Sequence, residues 1–114
     1  MQAGLCDLVG YEAVRRRVPW QTLASGEHWY LPTTFAAAAG RRLVDIFQPD
    51  VLWCGGITAA VKICHLAEAN NISVIPHGSM NYPYGQHLAM AMPACAPRPA
   101  VAPSPRSTQA DMRR

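Results

Sequence analysis

The sequence predicts an α/β fold of parallel strands covered by helices, on three observations. Strand-like and helix-like segments alternate along the chain; the strand segments are too apolar for one-sided exposure; and an ionisable residue follows the end of each one. The elements follow in order. Gly10 to Val18 suits a short helix, closed by Pro19 because the residue before a proline is pushed out of helical geometry. Gln21 to Ser25 reads as a strand that leaves through Gly26-Glu27-His28. Pro32-Thr33-Thr34 starts a helix whose body is Phe35 to Arg42, with Gly40 near its end. Leu43 to Phe47 reads as a buried strand, ended by Gln48-Pro49-Asp50.

After the loop Val51 to Gly56, apolar residues at 57, 60, 61, 64 and 67 mark one face of a helix over Ile57 to Asn70. Asn70-Asn71 stops it, Ile72 to Ile75 forms a further strand, and Pro76-His77-Gly78-Ser79 turns at its end. A last helix is predicted from Gly85 to Met92. Residues 1–92 therefore form one domain. The remainder, 93–114, holds five of the ten prolines among alanine, serine and arginine, without periodicity, and is expected to be disordered.

Composition narrows the function classes. A chain of 114 residues, half of them hydrophobic, supports one modest core. No apolar run approaches the roughly 18 residues of a spanning helix, and the N-terminus lacks a secretion signal, so a cytoplasmic protein with no membrane partner is expected. Cys6, Cys54, Cys64 and Cys95 form no C-x-x-C pair and no secreted-protein framework, which favours reduced thiols. The net charge of +3 comes from the tail, where Arg98, Arg106, Arg113 and Arg114 face only Asp111. The body before Pro93 is neutral and has no electrostatic footprint for nucleic acid.

Glu27, Asp50 and His77 each lie just past a predicted strand, on the edge where parallel α/β proteins build their sites. Their separations of 23 and 27 residues each match about one strand-plus-helix unit, so neighbouring strands would present them side by side. Taken singly, an aspartate after a proline is an ordinary turn or cap residue and a histidine in a polar turn is ordinarily solvated. Together they suit removal of a weakly acidic proton next to a carboxylate. Histidine is the natural base near neutral pH, Asp50 would orient the His77 imidazole, and Glu27 could supply an oxygen ligand to Mg²⁺. Cys54, Cys64, His65 and His77 match no usual zinc spacing, and mid-helix Cys64 and His65 read as a packed thiol and an exposed imidazole. Tyr82, Tyr84 and His87 either line the mouth of the site or pack the last loop. Gly55-Gly56 before a helix offers backbone N–H groups to an anion, and Arg15 to Arg17 read as a solvated helix face.

The strings Gly26-Glu27-His28, Asp45-Ile46-Phe47-Gln48-Pro49-Asp50, Trp53-Cys54-Gly55-Gly56 and Val74-Ile75-Pro76-His77-Gly78-Ser79 resemble the mandelate racemase subgroup of the enolase superfamily, and within it the L-rhamnonate dehydratases. The resemblance runs from about Tyr11 to Pro93. It implies part of a (β/α)8 TIM-type barrel, about three consecutive βα units, since a closed barrel takes about 250 residues. It also implies a carbon–oxygen lyase that removes water from an acid sugar (aldonate) to give a 2-keto-3-deoxy acid, with Mg²⁺ as cofactor. By the same resemblance Glu27 is a metal-binding carboxylate, Asp50 and His77 form the proton-handling dyad, and His28 lies beside the substrate. Protonated His77 or His28 gives the proton to the departing hydroxyl. The full-length family is implied to be homo-oligomeric. Because the capping domain and two further metal carboxylates fall outside this sequence, the chain is expected to be an inactive fragment, a truncated or frameshifted reading of a longer gene. The alternative is a noncatalytic remnant or small parallel α/β interaction module.

Overall fold

A computed structural model describes residues 7–78 and 81–95, and within them three parallel strands and four α-helices. The order is α1 (Leu8–Arg17), β1 (Ala24–Ser25), α2 (Pro32–Gly40), β2 (Ile46–Phe47), α3 (Ile57–Ala69), β3 (Ser73–Val74) and α4 (Pro83–Ala91), followed by a 3-10 turn at Pro93–Cys95. The sheet order β1-β2-β3 follows the chain, with Ser25 level with Phe47 and Phe47 level with Val74. This is the predicted α/β architecture.

Each strand is shorter than its apolar run. The N–H of Leu23 is taken by the Asp45 side chain at 2.9 Å, so the regular β1–β2 ladder begins only at Ala24. Past the ladder the backbone stays paired, through Gln48 N–H to Ser25 O (2.9 Å) and Ile75 N–H to Phe47 O (2.9 Å). Pro49 and Pro76, which lack a donor, then end it.

The helices also shift slightly from their predicted bounds. α1 begins two residues early because Asp7 accepts the N–H of Gly10 at 2.8 Å, and α4 starts at Pro83, whose fixed φ suits the first turn. The buried face of α3 is Ala60, Ile63, Cys64 and Ala67, whereas Ile57 is exposed. This helix packs against α2, whose buried Ala38 and Ala39 present small side chains that allow close helix packing. After α4, Ala94 is 1% exposed, in a turn packed against α3, α4 and β3. Residues 96–114 lie outside the described residues.

The core centres on three edge-to-face aromatic rings: Trp29 and Phe35 at 5.0 Å, Phe35 and Phe47 at 5.0 Å, and Trp29 and Phe47 at 6.1 Å. Phe47 and Val74 face this core, so alternation turns Ala24, Ile46 and Ser73 to the opposite side of the sheet, where Ile75 is also exposed. On that side Ala24 is exposed, and Ile46 and Ser73 are half-buried.

Arg15 departs from the expected solvated role. Its guanidinium donates to Leu43 O (3.2 Å), Gln21 O (3.0 Å) and Asp45 Oδ2 (2.7 Å), fastening α1 to the segments that enter β1 and β2. Half-exposed Asp45 limits the ion pair itself to about 0–1 kcal/mol, with the carbonyl contacts adding on that order. Arg15→Met is therefore expected to lower stability by about 1–2 kcal/mol, read from the urea midpoint, with only part of the loss reproduced by high salt.

Candidate active site

The chain leaves β1 through a turn that only glycine fits. Gly26 has φ +123°, and a Cβ there would stand 2.8 Å from Phe35 Cε1. Trp29 N–H closes the turn on Gly26 O at 3.1 Å, and the buried Trp29 ring anchors it, leaving Glu27 and His28 on the rim. At the end of β2, Pro49 is fully buried and Asp50 organises the next loop. Its Oδ1 accepts Leu52 N–H at 2.9 Å and its carbonyl accepts Trp53 N–H at 2.9 Å and Cys54 N–H at 2.8 Å. At the end of β3, His77 N–H donates to Pro49 O at 3.0 Å, followed by Gly78 with φ +67°. A Cβ on Gly78 would lie 3.0 Å from Asp50 Oδ2, so the second glycine leaves room for that carboxylate beside His77.

Parallel strands put these three ends on one edge of the sheet. His77 Nδ1 lies 3.0 Å from Glu27 Oε2, reaching across the end of the middle strand, and His28 Nε2 lies 3.9 Å from Glu27 Oε1. All three side chains are nearly half exposed, at 44–48%. Glu27, expected only as a metal ligand, thus also sets a carboxylate oxygen against His77 Nδ1. The backbone bond from His77 to Pro49 holds the ring over the end of β2, within reach of β1.

Sequence reasoning gave no role to Tyr30 and Trp53, which form an aromatic wall beside His28. Tyr30 and Trp53 stack at 5.6 Å, and the Trp53 ring is 5.1 Å from that of His28. Aromatic residues in two separate loops, with no periodicity to relate them, left no signal in the sequence. Of the residues left between two roles, Tyr84 packs against the core, whereas Tyr82, stacked on it at 5.4 Å, and His87 are exposed. Desolvation, then Tyr82 and Asp50, push the Tyr84 phenol above its ordinary value. Cys64 is buried and His65 exposed, as helix position implied.

Magnesium prefers near-octahedral oxygen coordination. Around Glu27 the chain offers imidazoles rather than further carboxylates, Glu27 Oε2 faces His77, and the described residues contain no group of three or more His, Cys, Asp or Glu able to hold a metal ion. The residues present do not by themselves fit Mg²⁺. Among the described residues no helix is long and apolar enough to cross a membrane.

Comparison with known proteins gives the same picture of the fold. A family model described as enolase C-terminal domain-like matches residues 5–112, so the likeness continues well past Pro93, where the resemblance was expected to end. L-rhamnonate dehydratase of Saccharopolyspora erythraea is 46% identical over 79 residues, covering 68% of this chain and 20% of that protein. The crystal structure of L-rhamnonate dehydratase from Gibberella zeae superposes with a TM-score of 0.74 at 35% identity, over 89% of this chain and 25% of that one. A structure of the rhamnonate dehydratase from Gibberella zeae complexed with Mg gives a TM-score of 0.72 at 36% identity, over 79% and 22%. The chain thus spans about a fifth to a quarter of these relatives. With the matched model covering nearly all of the sequence and the parallel βα units superposing on solved relatives, the chain belongs to the enolase C-terminal domain-like family.

Proposed function

We propose that this chain carries the proton-transfer residues of an acid-sugar dehydratase, a carbon–oxygen lyase acting on an L-rhamnonate-like aldonate in the cytoplasm. The observation that carries this reading is the 3.0 Å contact between Glu27 Oε2 and His77 Nδ1, on the rim that also holds Asp50 and His28. A carboxylate that accepts Nδ1–H leaves the Nε2 lone pair of neutral His77 as the base. His77 would take the proton α to the substrate carboxylate, and the negative charges of Glu27 and Asp50 would favour the imidazolium that forms. The electron pair left behind expels the 3-hydroxyl as water when protonated His28 or His77 donates to it, and the enol relaxes to the 2-keto-3-deoxy acid. Glu27 as an Mg²⁺ ligand belongs to this reading only together with oxygen donors from outside the described residues, and no step here runs through the metal. The L-rhamnonate dehydratase relatives support the substrate class.

The test follows loss of the α-proton and appearance of keto acid by NMR, with L-rhamnonate and other aldonates, the chain and added Mg²⁺. As a piece spanning a fifth to a quarter of these relatives, the chain is expected to turn over only when completed by the further segments of such a protein, and product formed then should fall by on the order of 10²–10⁴ in His77→Asn. A noncatalytic interaction module is the second reading, favoured by exposed Ala24 and Ile75 on one side of the sheet and by β1 and β3 as its edges among the described residues. Absence of turnover and of Mg²⁺ heat in calorimetry even with those further segments supplied would select it.

A further inference from the structure

We propose that Cys64 and Cys95 are a reversible oxidation site, closing a disulfide that ties the C-terminal 3-10 turn to the middle of α3. Their sulfurs lie 3.9 Å apart although 31 residues separate them in sequence. A disulfide needs about 2.05 Å, so the gap must close by about 2 Å. Cys64 is 1% exposed and held within a helix, whereas Cys95 is half-buried in a three-residue turn, so the turn supplies the movement. That turn is already seated: Ala94 is buried, and Cys95 N–H donates to Met92 O at 3.0 Å. The site owes nothing to the dehydratase reading.

The two thiols are chemically unequal. The hydrogen bond from Cys64, opposed by desolvation, holds the Cys95 thiol below its usual range. The same bond, then burial, push Cys64 well above it. Cys95 is therefore the accessible nucleophile and Cys64 the resolving thiol. With hydrogen peroxide as oxidant, the Cys95 thiolate attacks one oxygen and displaces hydroxide, giving the sulfenic acid while the peroxide is reduced by two electrons. Cys64 then attacks that sulfur, the S–S bond forms, the hydroxyl leaves, and the thiol protons end in water. Overall, two thiols and one peroxide give one disulfide and two waters. Cys54 stands apart, its thiol against Val51 O and Gly56 O and pushed up chiefly by burial, and serves as the internal control.

The experiment treats the 114-residue chain with peroxide, alkylates remaining thiols, and cleaves at Lys62 and Glu68 under denaturing, non-reducing conditions. These cuts isolate Cys64 in Ile63–Glu68, away from Cys54 and Cys95. The expected result is that peptide joined to the one containing Cys95, with loss of two hydrogen masses, a rise in Tm of roughly 10 °C and reversal by dithiothreitol. Cys54→Ser should keep the link and Cys95→Ser abolish it. Alkylation of both thiols after peroxide, or Cys64 joined to Cys54 or to a second chain, would overturn the proposal. The wild-type map decides even if a variant fails to fold.

Discussion

Phe47→Ala is expected to lower the urea midpoint sharply. Phe47 is fully buried, edge-to-face against both Trp29 and Phe35, and is the central residue of the strand register that joins β1 to β3. Truncating a buried phenylalanine costs about 3–5 kcal/mol, through lost transfer energy and the cavity left behind. A small domain holds only about 5–15 kcal/mol in total. Two strand pairings meet at this residue, so the loss should spread to both strand ends that carry Glu27 and His77. Urea denaturation followed by tryptophan fluorescence measures it: a midpoint within error of the wild type would show that the aromatic trio does not hold the core. Phe47→Leu, which keeps most of the volume, should recover more than half of the loss.

Gly26→Ala should have the next largest effect, by two separable causes. At φ +123° an L side chain is strained, on the order of 1–3 kcal/mol, and the new methyl would sit 2.8 Å from a buried Phe35 carbon, adding roughly 1–3 kcal/mol of overpacking. A double-mutant cycle with Phe35→Leu distinguishes them, since the smaller side chain should relieve the contact and leave the backbone strain intact. Additivity in that cycle would mean that the clash contributes nothing. Gly26 directly precedes Glu27, so NMR shifts of the His77 ring should move even in the folded fraction. Unchanged shifts would detach the turn from the Glu27–His77 contact.

Legibility of the fold in the sequence varied by element. The helices were readable within two or three residues, because Pro32 in a first turn and Asn70, whose side chain bonds Leu66 O at 2.8 Å, act locally; the starts set by Asp7 on Gly10 and by Pro83 were placed two residues late. The strands were overestimated because apolar runs report burial, whereas ladder length depends on partners such as the Asp45 carboxylate at Leu23 N–H. Arg15 was misjudged for the same reason. Nothing near it in sequence shows that Gln21, Leu43 and Asp45 converge on its guanidinium.

By itself the sequence determined the alternation of parallel strands and helices, and that Glu27, Asp50 and His77 follow strand ends, because periodicity and spacing are properties of the chain. The tertiary structure alone decided that Glu27 Oε2 comes within 3.0 Å of His77 Nδ1 and that Trp53 stacks on Tyr30 beside His28. It alone brought Cys64 to Cys95. Each of these is a through-space contact of a few ångströms between residues on different elements, fixed by sheet register and helix packing, to which local sequence carries no distance information.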